Sequence, residues 1–209
     1  LAAAKTAGTP VIEIWDHHPP EAGNRRGAST QFTQIGFNHD EVGRAMAAHL
    51  LQAGHRALAY VDSGVAEDYR AHERGLAFAA AAQAAGASVT VLAAPAGDAF
   101  DAGRQALGLL LGERGPRISA AAFANDHLAC GALLEAARRG VAVPGRLALL
   151  GFGDFAIARQ LQPALSSVSL PRYEIGAEAA RSLLDALRDH QPAQAVSLPW
   201  TLVARGSTG

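Results

Sequence analysis

Short apolar runs alternating with amphipathic helical stretches constrain this chain more than any other feature, and the pattern is cleanest from Ser119 to Phe155. Ala120 to Ala124 is an apolar run of strand length rather than helix length. Asn125-Asp126 follows directly, where a helix N-cap belongs. Cys130, Leu133, Leu134 and Ala137 then recur at helical spacing, which leaves Asp126, Glu135, Arg138 and Arg139 for the other side. Gly140 is placed as the residue that stops the helix, and Pro144 stands where no helix can continue. Leu147 to Phe152 is a second apolar run, ending in Gly153-Asp154. Two strands joined by a helix lie parallel through a right-handed crossover. Both polar turns therefore fall on the carboxyl edge of one sheet, where open α/β sheets hold ligands.

The rest of the chain repeats this grammar. Val11–Trp15, Gln31–Phe37, Ala57–Val61, Ser88–Ala93, Leu165–Leu170 and Trp200–Ala204 read as extended segments. Helices are expected from Asn38 or His39 to about Ala53, from Glu67 to Ala85, from Asp98 or Ala99 to Gly112, and from Tyr173 to His190. Leu1–Gly8 reads as the tail of a further helix, which suggests a fragment of something longer. In the Tyr173–His190 helix, Ile175, Ala179, Leu183, Leu184 and Leu187 form the expected inward face. Strand–helix alternation of this kind gives an α/β fold with parallel sheets covered by helices.

Composition narrows the function. The formal net charge of -1 gives no basic excess of the kind that nucleic-acid contact requires. Arg25-Arg26 and Arg138-Arg139 are the only basic pairs, and both read as solvated surface. Cys130 is the only cysteine, so neither an intrachain disulfide nor a thiol metal site is available. His17-His18 lacks a third ligand at zinc-like spacing, so no metal is expected. No apolar run approaches membrane-spanning length. The G-x-S-x-G, H-E-x-x-H, phosphate-loop and dinucleotide motifs are all missing, so no catalytic residue and no cofactor is assigned.

Four strands end in polar groups: Trp15-Asp16, Asp62-Ser63, Asn125-Asp126 and Gly153-Asp154. Each alone reads as a cap or turn. Together on one edge they describe a rim suited to a hydroxyl-rich ligand, because carboxylates and amides accept and donate in pairs. Trp15 either stacks on a sugar face or packs in the core. Arg74 either offers a planar fork to a carboxylate or vicinal hydroxyls, or pairs on the surface with Glu73.

The stretches Gly8–Asp16, Ile35–Asp62, Tyr69–Phe78, Ala121–Phe155, Pro163–Ala180 and Leu202–Thr208 together carry a resemblance. They are similar to the effector-binding core of the lac repressor family of bacterial transcription regulators, closest in look to the gluconate-utilisation repressors. The resemblance implies the fold of the type I periplasmic binding proteins: two parallel-sheet lobes with a cleft between them. It places residues 1–37 plus 171–195 in a first, truncated lobe and residues 38–170 plus 196–209 in a second. It also implies that Arg74 and Asn125 hold the effector, that Trp15, Asp16 and Asp154 line the cleft, and that Asp126 caps its helix. Ala77 and Gly153 depart from the family pattern; Gly153 stands where many sugar-sensing members have Asp, a change compatible with a sugar-acid effector. The implied partners are a small-molecule effector (a sugar or sugar acid), a second copy of the chain in a homodimer, and operator DNA through a headpiece absent from this chain. The implied setting is cytoplasmic. A sugar-binding protein of a periplasmic importer is the alternative with the same fold.

Overall fold

The computed structural model describes residues 9–18, 32–112, 117–189 and 193–209. The Leu1–Gly8 helix tail and the Arg25-Arg26 pair lie outside them. In chain order the elements are β1 (Ile12–Ile14), β2 (Thr33–Gly36), α1 (His39–Gln52), β3 (Ala57–Asp62), α2 (Tyr69–Ala84), β4 (Ser88–Ala93), α3 (Ala99–Leu110) and β5 (Ala120–Phe123). They continue with α4 (Asp126–Arg138), β6 (Ala148–Gly153), a 3-10 turn (Ala156–Arg159), β7 (Ser166–Ser169), α5 (Arg172–Asp189), β8 (Val196–Ser197) and β9 (Thr201–Val203). The chain divides into two compact units, Leu1–His39 with Leu170–Trp200, and Asp40–Ser169 with Thr201–Gly209.

The first unit is a three-stranded sheet in the order β1-β2-β8, parallel throughout, with α5 packed on β1 and β2. The return to the second unit, expected at residue 196, comes later: Val196 and Ser197 still pair with Ile35 and Gly36. On α5, Ile175 and Ala186 are buried, but Leu184 and Leu187 are each 52% exposed, against the inward face expected for them. The reason is phase. Residue 184 lies roughly half a turn away from Ile175 at 3.6 residues per turn, whereas residue 186 is nearly back in line.

The second unit is a six-stranded sheet in the order β4-β3-β5-β6-β7-β9. Its first five strands are parallel, and β9 returns antiparallel to β7. The central strand β5 is Ala-Ala-Ala-Phe and fully buried. Side chains this small let helices approach both faces closely. Phe78, Leu58, Leu107, Leu149 and Met46 are fully buried elsewhere in the same unit. Tyr60 on β3 is also fully buried, and its hydroxyl donates to the Ala71 carbonyl at 2.8 Å, tying the strand to the first turn of α2. Burial pushes that phenol up to about 12.

Helices α3 and α4 meet through glycines. A Cβ at Gly103 would lie 2.0 Å from the Leu128 carbonyl oxygen, and one at Gly131 would lie 2.0 Å from the Phe100 carbonyl oxygen. Backbone therefore rests on backbone. The packed face of α4 also differs from the periodicity reading. Leu134 is 50% exposed and Ala137 is exposed, while Asp126 and Glu135 are buried. Glu135 accepts from Arg138 and Arg139 at 2.6 Å each, and these two guanidiniums, Arg138 first, pull its carboxyl down to about 2.

The C-terminal segment Arg205-Gly-Ser-Thr, polar in sequence, is built into the core. Ser207 donates to the Leu149 carbonyl at 2.6 Å and accepts from the Ser166 amide at 2.8 Å. Ser166 Oγ donates to the Arg205 carbonyl, so the Thr208 hydroxyl is left to donate to Ser166. His49 Nε2, 2.9 Å from Thr208 Oγ1, then serves as the donor to it. Burial holds His49 below its usual pKa, with His55 adding repulsion; burial does the same to His55.

Two expectations follow from this packing. Gly131→Ala should lower stability by about 1–3 kcal/mol, as overpacking does, whereas Gly108→Ala, where a Cβ meets nothing nearer than 3.9 Å, should be neutral or stabilising. Urea midpoints of the two variants measure the contrast. The lowered histidines bind protons more readily in the unfolded chain than in the folded one, so stability is intact above the unfolded value of 6.5 and declines as pH falls through it. A His49→Gln/His55→Gln double variant should flatten that decline in melting curves taken across the range.

Candidate functional site

Asp62, Asn125 and Asp154 stand at the carboxyl ends of β3, β5 and β6, on one edge of the six-stranded sheet. Trp15 and Asp16 stand at the corresponding end of β1, but in the other sheet. The four polar strand ends thus belong to two sheets rather than to one shared edge.

In the first unit, Trp15 leaves the strand with φ of 77°, a left-handed conformation that costs a non-glycine residue about 1–3 kcal/mol. Its carbonyl accepts from His39 Nε2 at 2.9 Å, and its amide donates to the Ile35 carbonyl at 3.0 Å. Gly36 makes the turn possible, since a Cβ there would lie 2.4 Å from the Asp16 amide nitrogen. Asp16 is 1% exposed, with Oδ1 3.5 Å from His39 Nε2. Trp15 is half-buried and keeps exposed surface.

In the second unit, Arg74 is a buried side chain rather than a surface one. Its guanidinium carbon lies 3.7 Å from the centre of the Phe152 ring, and Nη2 donates to the Ala124 carbonyl at 2.9 Å. A cation placed on an aromatic face and bonded to a strand-end carbonyl is strongly oriented. Asn125, the next residue, is the N-cap of α4: its Oδ1 accepts from the Leu128 amide at 3.0 Å. The cap expected of Asp126 therefore belongs to Asn125.

Asp126 does something else. It is fully buried, its Oδ2 accepting from the Phe155 amide at 2.8 Å and its Oδ1 from the Ser167 hydroxyl at 2.6 Å. Ser167 in turn accepts from the Asp154 amide at 3.0 Å. Asp154 has φ of 51°, and its carboxylate meets Arg205 Nη2 at 2.6 Å in a buried ion pair. Arg205 also donates to the Leu165 carbonyl at 2.7 Å. The Asp154 carboxylate therefore already has a cationic partner within the chain. Arg205 escaped the sequence reading because it lies in a polar tail; the serine and threonine beside it were the available signal.

Open space on this edge lies beside Asn125. A crevice of about 360 Å³ is bounded by Ser63, Gly64 and Asp68 from the β3–α2 turn, by Pro95 and Gly97 from the β4–α3 turn, and by Asn125. That volume lies within the range of small-molecule pockets. Asp68 escaped notice because the helix was expected to start at Glu67. It is instead the N-cap of α2, its Oδ1 accepting from the Ala71 amide at 3.1 Å. Among the described residues no group of three or more His, Cys, Asp and Glu side chains is placed to hold a metal ion. Hydroxyl, amide and carboxylate groups around small apolar walls can grip a polar molecule.

Asp126 gives the sharpest test of this geometry. Asp126→Asn turns one acceptor into a donor facing donors, and should cost about 1.5–3 kcal/mol, the worth of a hydrogen bond to a charged group. Chemical denaturation measures this, and a change below the spread of surface substitutions would contradict the bridge.

Residues 47–208 match the periplasmic binding protein-like domain family. The chain is 39% identical over 178 residues to the HTH-type transcriptional regulator GntR of Pseudomonas aeruginosa, covering 83% of this chain and 51% of that one. It is 32% identical over 168 residues to the HTH-type transcriptional regulator AscG of Escherichia coli, covering 79% of this chain and 49% of that one. It therefore spans about half the length of these relatives. Among solved structures, the transcription regulator GntR of Chromobacterium violaceum superimposes with a TM-score of 0.85 at 30% identity, over 99% of this chain and 73% of that one.

Proposed function

This chain belongs to the periplasmic binding protein-like domain family and, within it, to the lac repressor family of regulators, and from that membership we propose that it is the effector-sensing core of a bacterial transcription regulator. The observation that carries the reading is the ligand-sized crevice at the carboxyl edge of the six-stranded sheet, opening beside Asn125. The effector in this reading is a sugar or sugar acid. Asn125 offers its amide to it from the six-stranded sheet. Arg74 and Asp154 stand on the same sheet edge, and any contact they make with the effector is added to the partners they already have.

The regulator reading includes a homodimer, operator DNA contacted through a helix-turn-helix headpiece of the whole protein, and a cytoplasmic setting. An effector that weakens operator binding must itself bind less tightly to the DNA-bound form, because coupling free energy is reciprocal. An importer's solute-binding protein has the same fold, but the curated relatives named above are regulators, which favours the first reading. No helix among the described residues is long and apolar enough to cross a membrane.

A thermal-shift screen of hexoses, pentoses and aldonic acids tests the proposal. A true effector at a hundredfold excess over its Kd adds about 2.7 kcal/mol, a rise of about 5–10 °C for a chain of this size. Asn125→Ser separates the two jobs of Asn125, because serine is an equally good N-cap. Its melting temperature should match the parent's, while effector affinity drops about tenfold, as expected for a lost hydrogen bond. Undiminished affinity would remove Asn125 from the site.

A further inference from the structure

The crevice beside Asn125 has a charge character that its helix ends alone would not predict. Helices α2, α3 and α4 all begin near it: Asp68 and Asn125 line it, and Asp98 sits between the lining residues Gly97 and Ala99. Three helix N-termini would ordinarily favour an anion, each carrying about half a positive charge. Two of the three are capped by a full carboxylate. Asp68 accepts from the Ala71 amide and Asp98 from the Phe100 amide, at 3.1 and 2.9 Å. A third carboxylate, Asp62, is folded into the β3–α2 turn, its Oδ1 accepting from the Gly64 amide at 3.2 Å. His72 stands 3.8 Å from the other oxygen of Asp62 and is largely exposed. The helix ends supply about one and a half positive charges, and Arg74, bonded to the Ala124 carbonyl next to Asn125, a full one, against three carboxylates, of which Asp68 is the one in the lining. Among the described residues lining the crevice, Asp68 is the only ionisable one, and there is no Lys or Arg.

We propose that this crevice is a ligand subsite that rejects an anionic terminus, and that Asp68 is the residue setting that selection. The inference rests on the effector-sensing reading and deepens it, by stating which end of an effector enters here. A hydroxyl-bearing end suits the place. Asp68 caps through Oδ1, and Oδ2 is the oxygen that receives a ligand hydroxyl. Ser63 and Asn125 add a hydroxyl and an amide, and Val65, Pro95, Ala102 and Leu128 provide apolar contact for a C–H face. A carboxylate or phosphate in the same place meets Asp68 at short range in a partly water-excluded site, where like charges repel far more than in bulk water.

The experiment compares ligand pairs that differ only by a terminal phosphate: D-glucose with D-glucose 6-phosphate, and D-gluconate with 6-phospho-D-gluconate. Calorimetric titration is run on the parent and on Asp68→Asn and Asp68→Ser. Asn and Ser cap helices as well as Asp does, so both variants keep the α2 cap and lose only the charge. The expected result is an unphosphorylated partner binding the parent about tenfold or more tightly than its phosphate ester. That gap should shrink to about threefold or less in both variants, from gain of the ester rather than loss of the neutral ligand. A gap that persists unchanged in both variants, or an ester that binds the parent equally well, overturns the subsite selection and leaves the sensing function standing. Failure of all four compounds to bind counts against the sugar-effector reading itself, and the selection falls with it.

Discussion

One carboxylate holds the carboxyl edge of the six-stranded sheet together. Asp126 sits at the first turn of α4, fully buried, and reaches across to the Phe155 amide after β6 and to the Ser167 hydroxyl on β7. Burying an ionised group costs several kcal/mol unless its charge is met. Here an amide and a hydroxyl donate to it, and its place in the first turn sets it at the positive end of α4. The arrangement leaves no slack. A Cβ at Gly151 would lie 2.1 Å from Asp126 Oδ1, so the strand opposite the carboxylate must carry glycine. Three successive strand ends are thereby fixed relative to one another, and every other feature of that edge, Asn125 and Asp154 included, is placed by this bridge.

The same unit is closed from the other side by polar groups rather than apolar ones. Ser166, Ser207 and Thr208 are buried, and their hydroxyls are paired with each other, with backbone and with His49. Fully satisfied networks of this kind specify one arrangement, since any slip orphans a buried group. Arg205 extends the network to Asp154, so the last residues of the chain help to hold a turn at the ligand edge. The backbone-on-backbone contact of α3 with α4 at Gly103 and Gly131 adds a constraint of shape to these constraints of polarity. Together they describe a frame beside the crevice at Asn125.

Where sequence and structure agree, the cause is local. Helix starts and stops follow from Asp98, Asn125 and the positive-φ Gly140, which act within a turn of their own position. The order of strands and helices followed from apolar runs whose lengths separate the two classes. Where they part, the cause is long-range. Asp126 reads as polar and outward because nothing near it in sequence announces partners at residues 155 and 167. Leu184 and Leu187 read as inward because leucine is apolar, while the helix phase is set by Ile175 and Ala186 against the sheet. Val196–Ser197 and Thr201–Val203 are too short to carry period, and their assignment to different sheets is decided by pairing alone.

This division bears on how the motif residues are understood. Arg74, Asp126 and Asp154 lie in the stretches that resemble the family, yet each is already engaged. Arg74 lies on Phe152 and the Ala124 carbonyl, Asp126 on Phe155 and Ser167, and Asp154 on Arg205. A recognisable motif thus reports the geometry of an edge first and the chemistry of a ligand second. The side chains with capacity to spare on that edge, Asn125 through its amide and Asp68 through its second oxygen, occupy capping positions that a sequence explains completely without any ligand. In the reading proposed for this chain, selectivity is carried most economically by cap residues. Exchanging one good cap for another changes the charge presented to the crevice while leaving the helix, and with it the bridge at Asp126, in place.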